Sequence, residues 1–223
     1  MKKITIVSIL ILFAGGVFLS AQSLNFKIGF FTPKLNSDLW ETNKENLYFS
    51  KDDMSKVTYS VELEQFMGKF VSLSIEGGYY SNTVNSQYRD YEYDDGEPIY
   101  QNLFLSVSGL EANIKVYPLG HRKIFYPYLG VGVGVYHWKY EQWGEFIDFT
   151  NFDIYEGSGY TDEYSTGINV KGGFVFRFKR LLGISFEIKS RYLKGKLSSL
   201  FEGFEKLDLS GNTINVGINL FFR

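Results

Sequence analysis

Hydrophobic and polar residues alternate with a period of two in eight separate segments of the chain. In the last segment the even positions from Ile214 to Phe222 are apolar, and Asn215, Gly217 and Asn219 stand between them. Side chains of a β-strand point alternately to its two faces, so each segment predicts a strand with one apolar and one polar face. The predicted strands are 24–31, 54–64, 70–80, 102–117, 125–138, 166–178, 183–192 and 212–222.

The fourth predicted strand changes phase in its middle. Leu103, Leu105 and Val107 follow one phase, whereas Leu110 and Ile114 follow the other. A β-bulge inserts one extra residue into a strand and so restores the register of the faces. The pattern therefore predicts a bulge at Ser108-Gly109.

The connections between the strands alternate between long and short. In an up-and-down antiparallel arrangement, all long loops then lie at one end, and the short turns lie at the other end with both termini. Bacterial outer-membrane barrels show this asymmetry, whereas loops of about 20 residues are uncommon in compact soluble domains. We predict an all-β fold, a transmembrane eight-stranded antiparallel up-and-down β-barrel. The long connections are 32–53, 81–99, 139–162 and 193–211, and the short ones lie near 65–69, 118–123 and 179–181.

The first residues have the pattern of a secretory signal peptide. Lys2 and Lys3 precede an apolar run, and Leu19-Ser20-Ala21 provides a cleavage site. We predict a signal peptide over 1–21 and a barrel domain over 22–223. An uncleaved anchor is the alternative, although the apolar run is shorter than the roughly 20 residues that a membrane helix needs. No later stretch resembles a membrane-spanning helix.

Composition and charge exclude several classes of site. The chain has no cysteine, which excludes disulfides, thiolate metal sites and lipid attachment to a cysteine. The formal net charge of −2 hides a segregation, because the long connections are acidic and the strands with their short turns are basic. An acidic surface argues against nucleic acid as a partner, since phosphate binding needs basic patches.

The period of two does not by itself decide which face lies inside. A soluble lipocalin-like barrel would place the apolar face inward around a ligand. Here the polar face carries small residues and charges of both signs, which suit the narrow interior of an eight-stranded barrel. The apolar face is continuous and has aromatic residues near strand ends, as lipid-facing belts do. Those aromatic residues are Tyr79, Phe125, Phe178, Tyr192 and Phe222.

Charges inside a narrow barrel should pair, because an unpaired buried charge is very costly. We therefore predict a lumen charge network that fills the barrel as a plug. Its members are Glu76, Glu111, Lys115, Lys171, Arg177, Glu187, Lys189 and Arg191. If this network gates a pore, neutralising Glu111 or Arg191 should raise the conductance. The alternative is that some members lie at the rims and are merely solvated.

Three segments resemble a known family. Pro127–Gly134 and Gly167–Phe174 are similar to strands of the outer-membrane protein β-barrel domain family, the small eight-stranded OmpA-like and OmpX-like barrels of porin-like type. The end of the chain resembles that family's assembly signal, with Arg223 as an extra residue after the aromatic. The matching residues are Asn215, Gly217, Leu220 and Phe222.

The resemblance implies a location in the bacterial outer membrane, in contact with outer-membrane lipid and lipopolysaccharide. It also implies insertion by the barrel-assembly machinery. It does not imply one activity, because fold and function separate. We expect a monomer without a cofactor.

Candidate chemical motifs are few. Gly130, Gly132 and Gly134 lie within a strand, so they do not form a dinucleotide-binding loop. An outer-membrane deacylase would need a serine two residues after His137, where Lys139 stands, and His137 is expected in the aromatic girdle beside Tyr136 and Trp138.

The acidic run 90–96 departs from a calcium-binding loop, because its glycine comes one place late and Gln101 replaces the bidentate glutamate. Loose binding of divalent cations by these acids is the remaining option. No metal site and no catalytic residue are predicted.

The sequence therefore favours a non-enzymatic outer-membrane protein, structural or surface-binding through four acidic extracellular loops. Tyrosine-rich loops offer recognition area for an unknown extracellular ligand at low entropic cost. One alternative is a narrow channel for small or hydrophobic solutes. Another is a lipid A-modifying enzyme, for which the sequence lacks a convincing catalytic set.

Overall fold

The computed structural model describes residues 21–204 and 206–222. The predicted signal peptide 1–21 lies outside these residues, apart from Ala21, and Arg223 lies outside them as well. Among the helices of the described residues, none is long and apolar enough to cross a membrane.

The described chain is mostly strand, with one helix of more than two turns and one short 3₁₀ helix. The strands are β1 (Ser23–Pro33), β2 (Lys56–Met67), β3 (Val71–Glu92), β4 (Pro98–Val116), β5 (Phe125–Ile147), β6 (Ile154–Phe176), β7 (Leu182–Lys196), β8 (Lys206–Asp208) and β9 (Gly211–Phe221). The helix α1 (Asp38–Asn46) follows β1, and the 3₁₀ helix (Ser199–Phe201) follows β7.

Eight of the nine strands, all except the short β8, close into a ring. Each strand from β1 to β7 pairs antiparallel with the next, and β9 pairs with both β7 and β1. The short β8 continues the pairing of β9 along β7, where Lys194 lies opposite Asp208. The predicted eight-stranded antiparallel barrel is therefore confirmed. Where the described strands form the ring, each has a partner on both sides, which is what a barrel in lipid requires.

The four central strands are much longer than a membrane crossing needs. Strands β3 to β6 have 19 to 23 residues each, whereas about 9–11 residues span a bilayer. The prediction that 81–99 and 139–162 are loops is wrong, because most of both segments continues the strands. Outside the lipid nothing imposes an apolar outer face, so the alternation that identifies a strand disappears there. The true hairpin tips are only 93–97 and 148–153.

The predicted bulge at Ser108-Gly109 is also wrong. The registers of β4 with β3 and with β5 run through Ser108 and Gly109 without a shift. Leu105 and Val107 are buried because they point into the barrel, whereas Leu110 is exposed on the outer face. The phase change therefore marks the level at which the barrel interior changes from polar to apolar.

The outer face of the lower barrel is an apolar belt. Aliphatic side chains are exposed there on seven of the eight strands of the ring, and β3 contributes the exposed ring of Tyr79. Examples are Ile28, Val61, Val131, Val170, Ile188 and Val216. The five predicted girdle residues, Tyr79, Phe125, Phe178, Tyr192 and Phe222, are each about half exposed on this outer surface. The belt faces outward, so the lipocalin-like alternative does not hold.

His137 also faces outward, but Tyr136 and Trp138 are fully buried inside the barrel. The expectation that these two rings flank His137 in the girdle is wrong. Neighbouring residues of a strand point to opposite faces, so the two rings must lie on the side away from His137.

Two connections fold back over the open end of the barrel, and we call residues 34–55, 197–204 and 206–210 the cap. Trp40 of α1 is completely buried, and its ring contacts Tyr140 of β5 at 5.1 Å between ring centroids. The Trp40 indole Nε1–H donates a hydrogen bond to the carbonyl oxygen of Asp208 at 2.9 Å. The two parts of the cap are thereby joined above an apolar core that includes Leu103 and Leu105.

Glycines on the inner face make room for the side chains of neighbouring strands inside the barrel, which can be tested at Gly132. A Cβ atom there would lie 2.1 Å from Oδ1 of Asn113 and 2.8 Å from the carbonyl oxygen of Ala112. We expect Gly132→Ala to lower the free energy of unfolding by about 1–3 kcal/mol, because overpacking forces the neighbours apart. The temperature of the heat-induced gel mobility shift measures this loss.

Gly77→Ala is the matched control, because a Cβ atom at Gly77 on the same barrel has no neighbour within 4 Å. Equal shift temperatures for the two variants would contradict the crowded interior.

Candidate functional site

Nine ionisable side chains from six strands meet in the middle of the barrel, and we call them the charge cluster. Each of them is 8% exposed or less. They are Lys27 of β1, Glu62 and Glu64 of β2, Glu76 of β3, Glu111 and Lys115 of β4, Lys171 of β6, and Glu187 and Lys189 of β7.

Several like charges of the charge cluster stand side by side on the barrel wall. Glu76 lies directly opposite Glu62 on one side and Glu111 on the other. On the far wall, Lys171 lies directly opposite Lys189. Like charges in directly opposed positions destabilise a sheet. Most favourable pairs therefore join strands that are not neighbours in the ring, and the Lys27–Glu62 pair between β1 and β2 is an exception.

Glu76 is the centre of these cross-lumen contacts. Its carboxylate lies 2.7 Å from Nζ of Lys171, 2.8 Å from Nζ of Lys189 and 3.2 Å from Nζ of Lys27. Lys189 also lies 3.1 Å from Glu111. Three ammonium groups from three strands thus compensate one buried carboxylate.

Glu62 has a similar set of partners. Its carboxylate lies 2.8 Å from Nζ of both Lys27 and Lys115 and 3.3 Å from Nζ of Lys171. Lys27 lies 3.0 Å from Glu187 in addition. Oxygens of Glu62, Glu76 and Glu187 lie within 4.8 Å of one another, a spacing that could hold a metal ion. Lysine ammonium groups already supply the positive charge at that place.

Neutral donors complete the hydrogen bonding of the carboxylates. The Tyr128 hydroxyl donates to Glu187 at 2.8 Å, and the Tyr136 hydroxyl donates to Glu111 at 3.0 Å. Glu64 accepts hydrogen bonds from the hydroxyls of Ser72 and Tyr117. A buried charge is tolerated only when it is both paired and hydrogen-bonded, and these donors meet the second condition.

Six of the eight residues predicted for the lumen network lie in the charge cluster, namely Glu76, Glu111, Lys115, Lys171, Glu187 and Lys189. The prediction omitted Lys27, Glu62 and Glu64, although all three lie on polar strand faces. The hairpin register would have found Glu62, because the short β2–β3 turn places it opposite Glu76.

Arg177 does not join the cluster. It follows the last residue of β6 at the short-turn end, where its Nε–H donates to the carbonyl oxygen of Arg180 at 3.1 Å. Its guanidinium stacks on the ring of Phe221 at 4.2 Å. The residue lies beyond the paired part of its strand, and the period of two cannot show how far along the barrel axis a residue sits.

Arg191 lies on the other side of the charge cluster, two residues beyond Lys189 on the same face of β7. Its guanidinium stacks on Phe31 at 4.7 Å and on Tyr136 at 5.2 Å. Its Nε and Nη2 atoms have no hydrogen-bond partner among the described residues. A cavity of about 30 Å³ lies beside it, which has room for about one water molecule.

Aromatic side chains fill the barrel below the charge cluster, at the short-turn end. Tyr117, Tyr126 and Phe221 are buried there, and Phe66 packs against them. The His121 imidazole stacks on the Phe66 ring at 4.0 Å, and burial lowers its pKa below the ordinary value. In the described part of the chain, side chains therefore fill the interior at three levels: aromatic, charged and apolar.

The nearest approach to a catalytic set lies on the outer wall. Nε2 of His137 contacts the Asp162 carboxylate at 2.5 Å, and Ser108 lies directly opposite His137 in the sheet. The Ser108 hydroxyl donates instead to the carbonyl oxygen of His137, at 3.5 Å. Among the described residues it has no hydrogen bond to the imidazole, so a nucleophile and its base are not assembled. Of these three residues the sequence indicates only His137, because only the pairing between strands brings Ser108 and Asp162 next to it.

Comparison with solved structures shows the fold of the chain, whereas comparison with known sequences finds no relative. No family model and no curated protein sequence matches the chain. Among solved structures, the outer membrane protein OprG from Pseudomonas aeruginosa aligns with a TM-score of 0.55 and 13% identity, over 92% of this chain and 97% of OprG. Neisserial surface protein A aligns with a TM-score of 0.49 and 12% identity, over 90% of this chain and 97% of its own.

The similarity to OprG shows the fold, that of the small eight-stranded outer-membrane barrels. This agrees with the resemblance of the sequence to OmpA-like and OmpX-like barrels. The apolar outer belt agrees with this fold, since the lipid-facing band of such barrels is apolar.

The cross-lumen pairs can be tested by removing one ammonium group. Lys171→Met leaves Glu76 and Glu62 each with one partner fewer in a buried site. We expect the free energy of unfolding to fall by about 3–5 kcal/mol, because the carboxylates keep a charge that is no longer compensated. Urea titration of the protein in lipid vesicles, followed by tryptophan fluorescence, measures the change.

Lys139→Met is the matched control, since Lys139 pairs with Glu141 at 2.6 Å on the partly exposed outer wall. A surface pair should contribute less than about 1 kcal/mol. Similar small losses for both variants would show that the charge cluster stabilises the barrel no more than a surface pair does.

Proposed function

We propose that this outer-membrane barrel is a non-conducting, non-enzymatic surface protein that acts through its cap and its two tall hairpins, β3–β4 and β5–β6. The observation that carries the proposal is the filling of the barrel interior at three successive levels. In this proposal residues 1–21 are a cleaved signal peptide, and residues 22–223 form a single barrel domain that works as a monomer.

A channel is the second candidate, and the interior argues against it. The cavity beside Arg191 has room for about one water, whereas conduction needs a continuous water path. Neutralising Glu111 alone would leave the apolar layer above it and the aromatic layer below it in place. The charge cluster is therefore better described as a structural filling than as a gate.

The exposed tips of the tall hairpins have one sign of charge. The tip 93–97 carries Asp94, Asp95 and Glu97, and the tip 148–153 begins and ends with an aspartate. The backbone N–H of Thr150 donates to the Asp148 carboxylate at 2.8 Å, which lowers the pKa of that carboxyl below its ordinary value. Outer-membrane barrels place their long-loop end outside the cell, so the proposed binding surface is acidic and extracellular.

Planar lipid bilayers test the closed interior directly. We expect the purified protein to give no steady conductance at moderate voltage, because no open water path crosses the three layers. A general porin in the same bilayers is the positive control.

Reproducible conductance steps that disappear after heat denaturation would contradict the proposal. A change in lipid A mass that depends on the protein and is lost in His137→Ala would contradict its non-enzymatic part.

We also propose that the barrel-assembly machinery reads Asn215, Gly217, Leu220 and Phe222. Asn215 has a structural role as well, since its Nδ2 donates to Glu187 at 3.1 Å inside the barrel. Phe222 lies just beyond β9 and is exposed on the lipid side, so the fold leaves it free for recognition. This difference allows the assembly role to be separated from the folding role.

Phe222→Ala should slow insertion into the outer membrane of cells several-fold, while refolding of the purified chain in detergent stays unchanged. Pulse-chase labelling combined with the heat-dependent gel shift measures both. Ile218→Ala is the control, because Ile218 is equally lipid-exposed but lies outside the proposed signal. Equal insertion rates for both variants would remove the role assigned to Phe222.

A further inference from the structure

A cavity of about 390 Å³ opens within the extracellular end, between α1, the two tall hairpins and the segment after β7. Pockets that bind small molecules typically have volumes of about 300–1,000 Å³ and mostly apolar walls. The walls here are aliphatic and aromatic, and they include Leu39, Leu47, Phe146, Ile147, Phe201 and Phe204. The cavity thus has the size and lining of a small-molecule site.

Two glycines keep this space open. Gly157 and Gly159 occupy two successive positions on the face of β6 that lines the cavity, so this face has no side chain there. A Cβ atom at Gly159 would lie 3.2 Å from the Phe201 ring, and one at Gly157 would lie 3.1 Å from the Phe146 ring. Any larger side chain at either position would therefore occupy the cavity.

The floor of the cavity is polar, and we call Asn43, Gln101 and Gln142 the amide floor. All three are buried. Asn43 Nδ2 donates to the Tyr140 hydroxyl at 2.9 Å, and Gln142 Nε2 donates to Gln101 at 2.6 Å and to Asn43 at 3.3 Å. Gln101 Nε2 donates to the Tyr88 hydroxyl at 3.3 Å. An amide NH₂ has two hydrogens, so Asn43 and Gln101 each retain donor capacity for a ligand.

The charge around the cavity selects against anions. Among the residues that line it, Glu202 carries a formal charge and no lysine or arginine is present. At the mouth, Phe149, Tyr155 and Leu200 expose about half or more of their side chains to solvent. An exposed apolar rim of this kind is typical of a ligand-binding surface.

The cavity leads no further into the barrel. Tyr140, Trp138, Leu105 and Leu103 are completely buried beneath the amide floor, and they belong to the apolar layer that closes the interior. A molecule that enters from outside would therefore be held at the cap and not be passed on.

We propose that this cavity binds a small uncharged molecule that combines a flat apolar body with a hydrogen-bonding group. The proposal rests on the proposed function, because it assigns a ligand class to the extracellular cap. The apolar body packs between the aromatic walls, and its polar group accepts a hydrogen bond from the amide floor.

Three naphthalene probes separate these contributions: 2-naphthol, naphthalene and 2-naphthalenesulfonate. The readout is the side-chain amide signals of Asn43, Gln101 and Gln142 in ¹H–¹⁵N spectra of the full barrel in lipid nanodiscs, which ignore probe dissolved in lipid. We expect saturable shifts with 2-naphthol and no shift with the sulfonate. Naphthalene should bind up to about tenfold more weakly, since it lacks a hydrogen bond worth about 1 kcal/mol.

Cavity-filling variants locate the site. Gly159→Val and Gly157→Val should each weaken 2-naphthol binding by about tenfold or more, because the new side chain occupies the space of the ligand. Tyr160→Val is the matched control, since Tyr160 follows Gly159 on the opposite face of β6, is more than half exposed and does not line the cavity. Its affinity should stay within about twofold, and an unchanged heat-dependent gel shift should show that all three variants fold.

Absent saturable shifts with 2-naphthol, or shifts that persist in both glycine variants, would overturn the proposal. Equal binding of the sulfonate would overturn the ligand class. Neither result would affect the closed barrel, which stands or falls on the bilayer conductance.

Discussion

The pairing of charges across the lumen is the interaction on which the rest of this structure depends. Three glutamates stand side by side on β2, β3 and β4. Their carboxylates would repel one another if no positive charge faced them. The ammonium groups of Lys27, Lys171 and Lys189 meet the central carboxylate from the other strands. Such pairs form only when strands far apart in the chain take their correct places. The pairs therefore couple the register of the strands to the closure of the ring. They also keep the charges inside the barrel, so that the outer face can be wholly apolar.

The interior changes character along the barrel axis because its surroundings change. At the level of the charge cluster lipid surrounds the barrel, and the inner face is the only place where polar side chains can be accommodated. Above that level the wall leaves the lipid, and the inner face becomes an apolar core like that of a soluble protein. Leu105 and Val107 are buried there, whereas Leu110 on the same strand faces lipid. Strand β4 therefore carries its apolar side chains on the outer face within the lipid and on the inner face above it. This change needs no bulge.

The cap is a consequence of the tall hairpins. Strands that extend beyond the membrane expose an inner wall of large apolar side chains, and α1 with the segment after β7 covers that wall. Trp40 is the central contact, since it packs on Tyr140 and is hydrogen-bonded to Asp208. The covering is incomplete where Gly157 and Gly159 leave a cavity above the amide floor. The closed interior below and the partly open cap above are the observations that support the proposed binding at the cell surface.

The sequence by itself determined the strands within the lipid, the ring of eight and the lipid-facing belt. There the bilayer imposes a period of two, which can be read directly from residues such as Ile214 to Phe222. It also identified most of the buried charges, because they share the polar face. Only the tertiary structure decided how far along the axis each residue lies, and this is why Arg177 and Arg191 fall outside the charge cluster. The sequence pattern did not indicate the tall hairpins, α1 or the cavity either. Outside the bilayer no solvent imposes an alternating pattern, and packing between distant segments alone decides which face is buried.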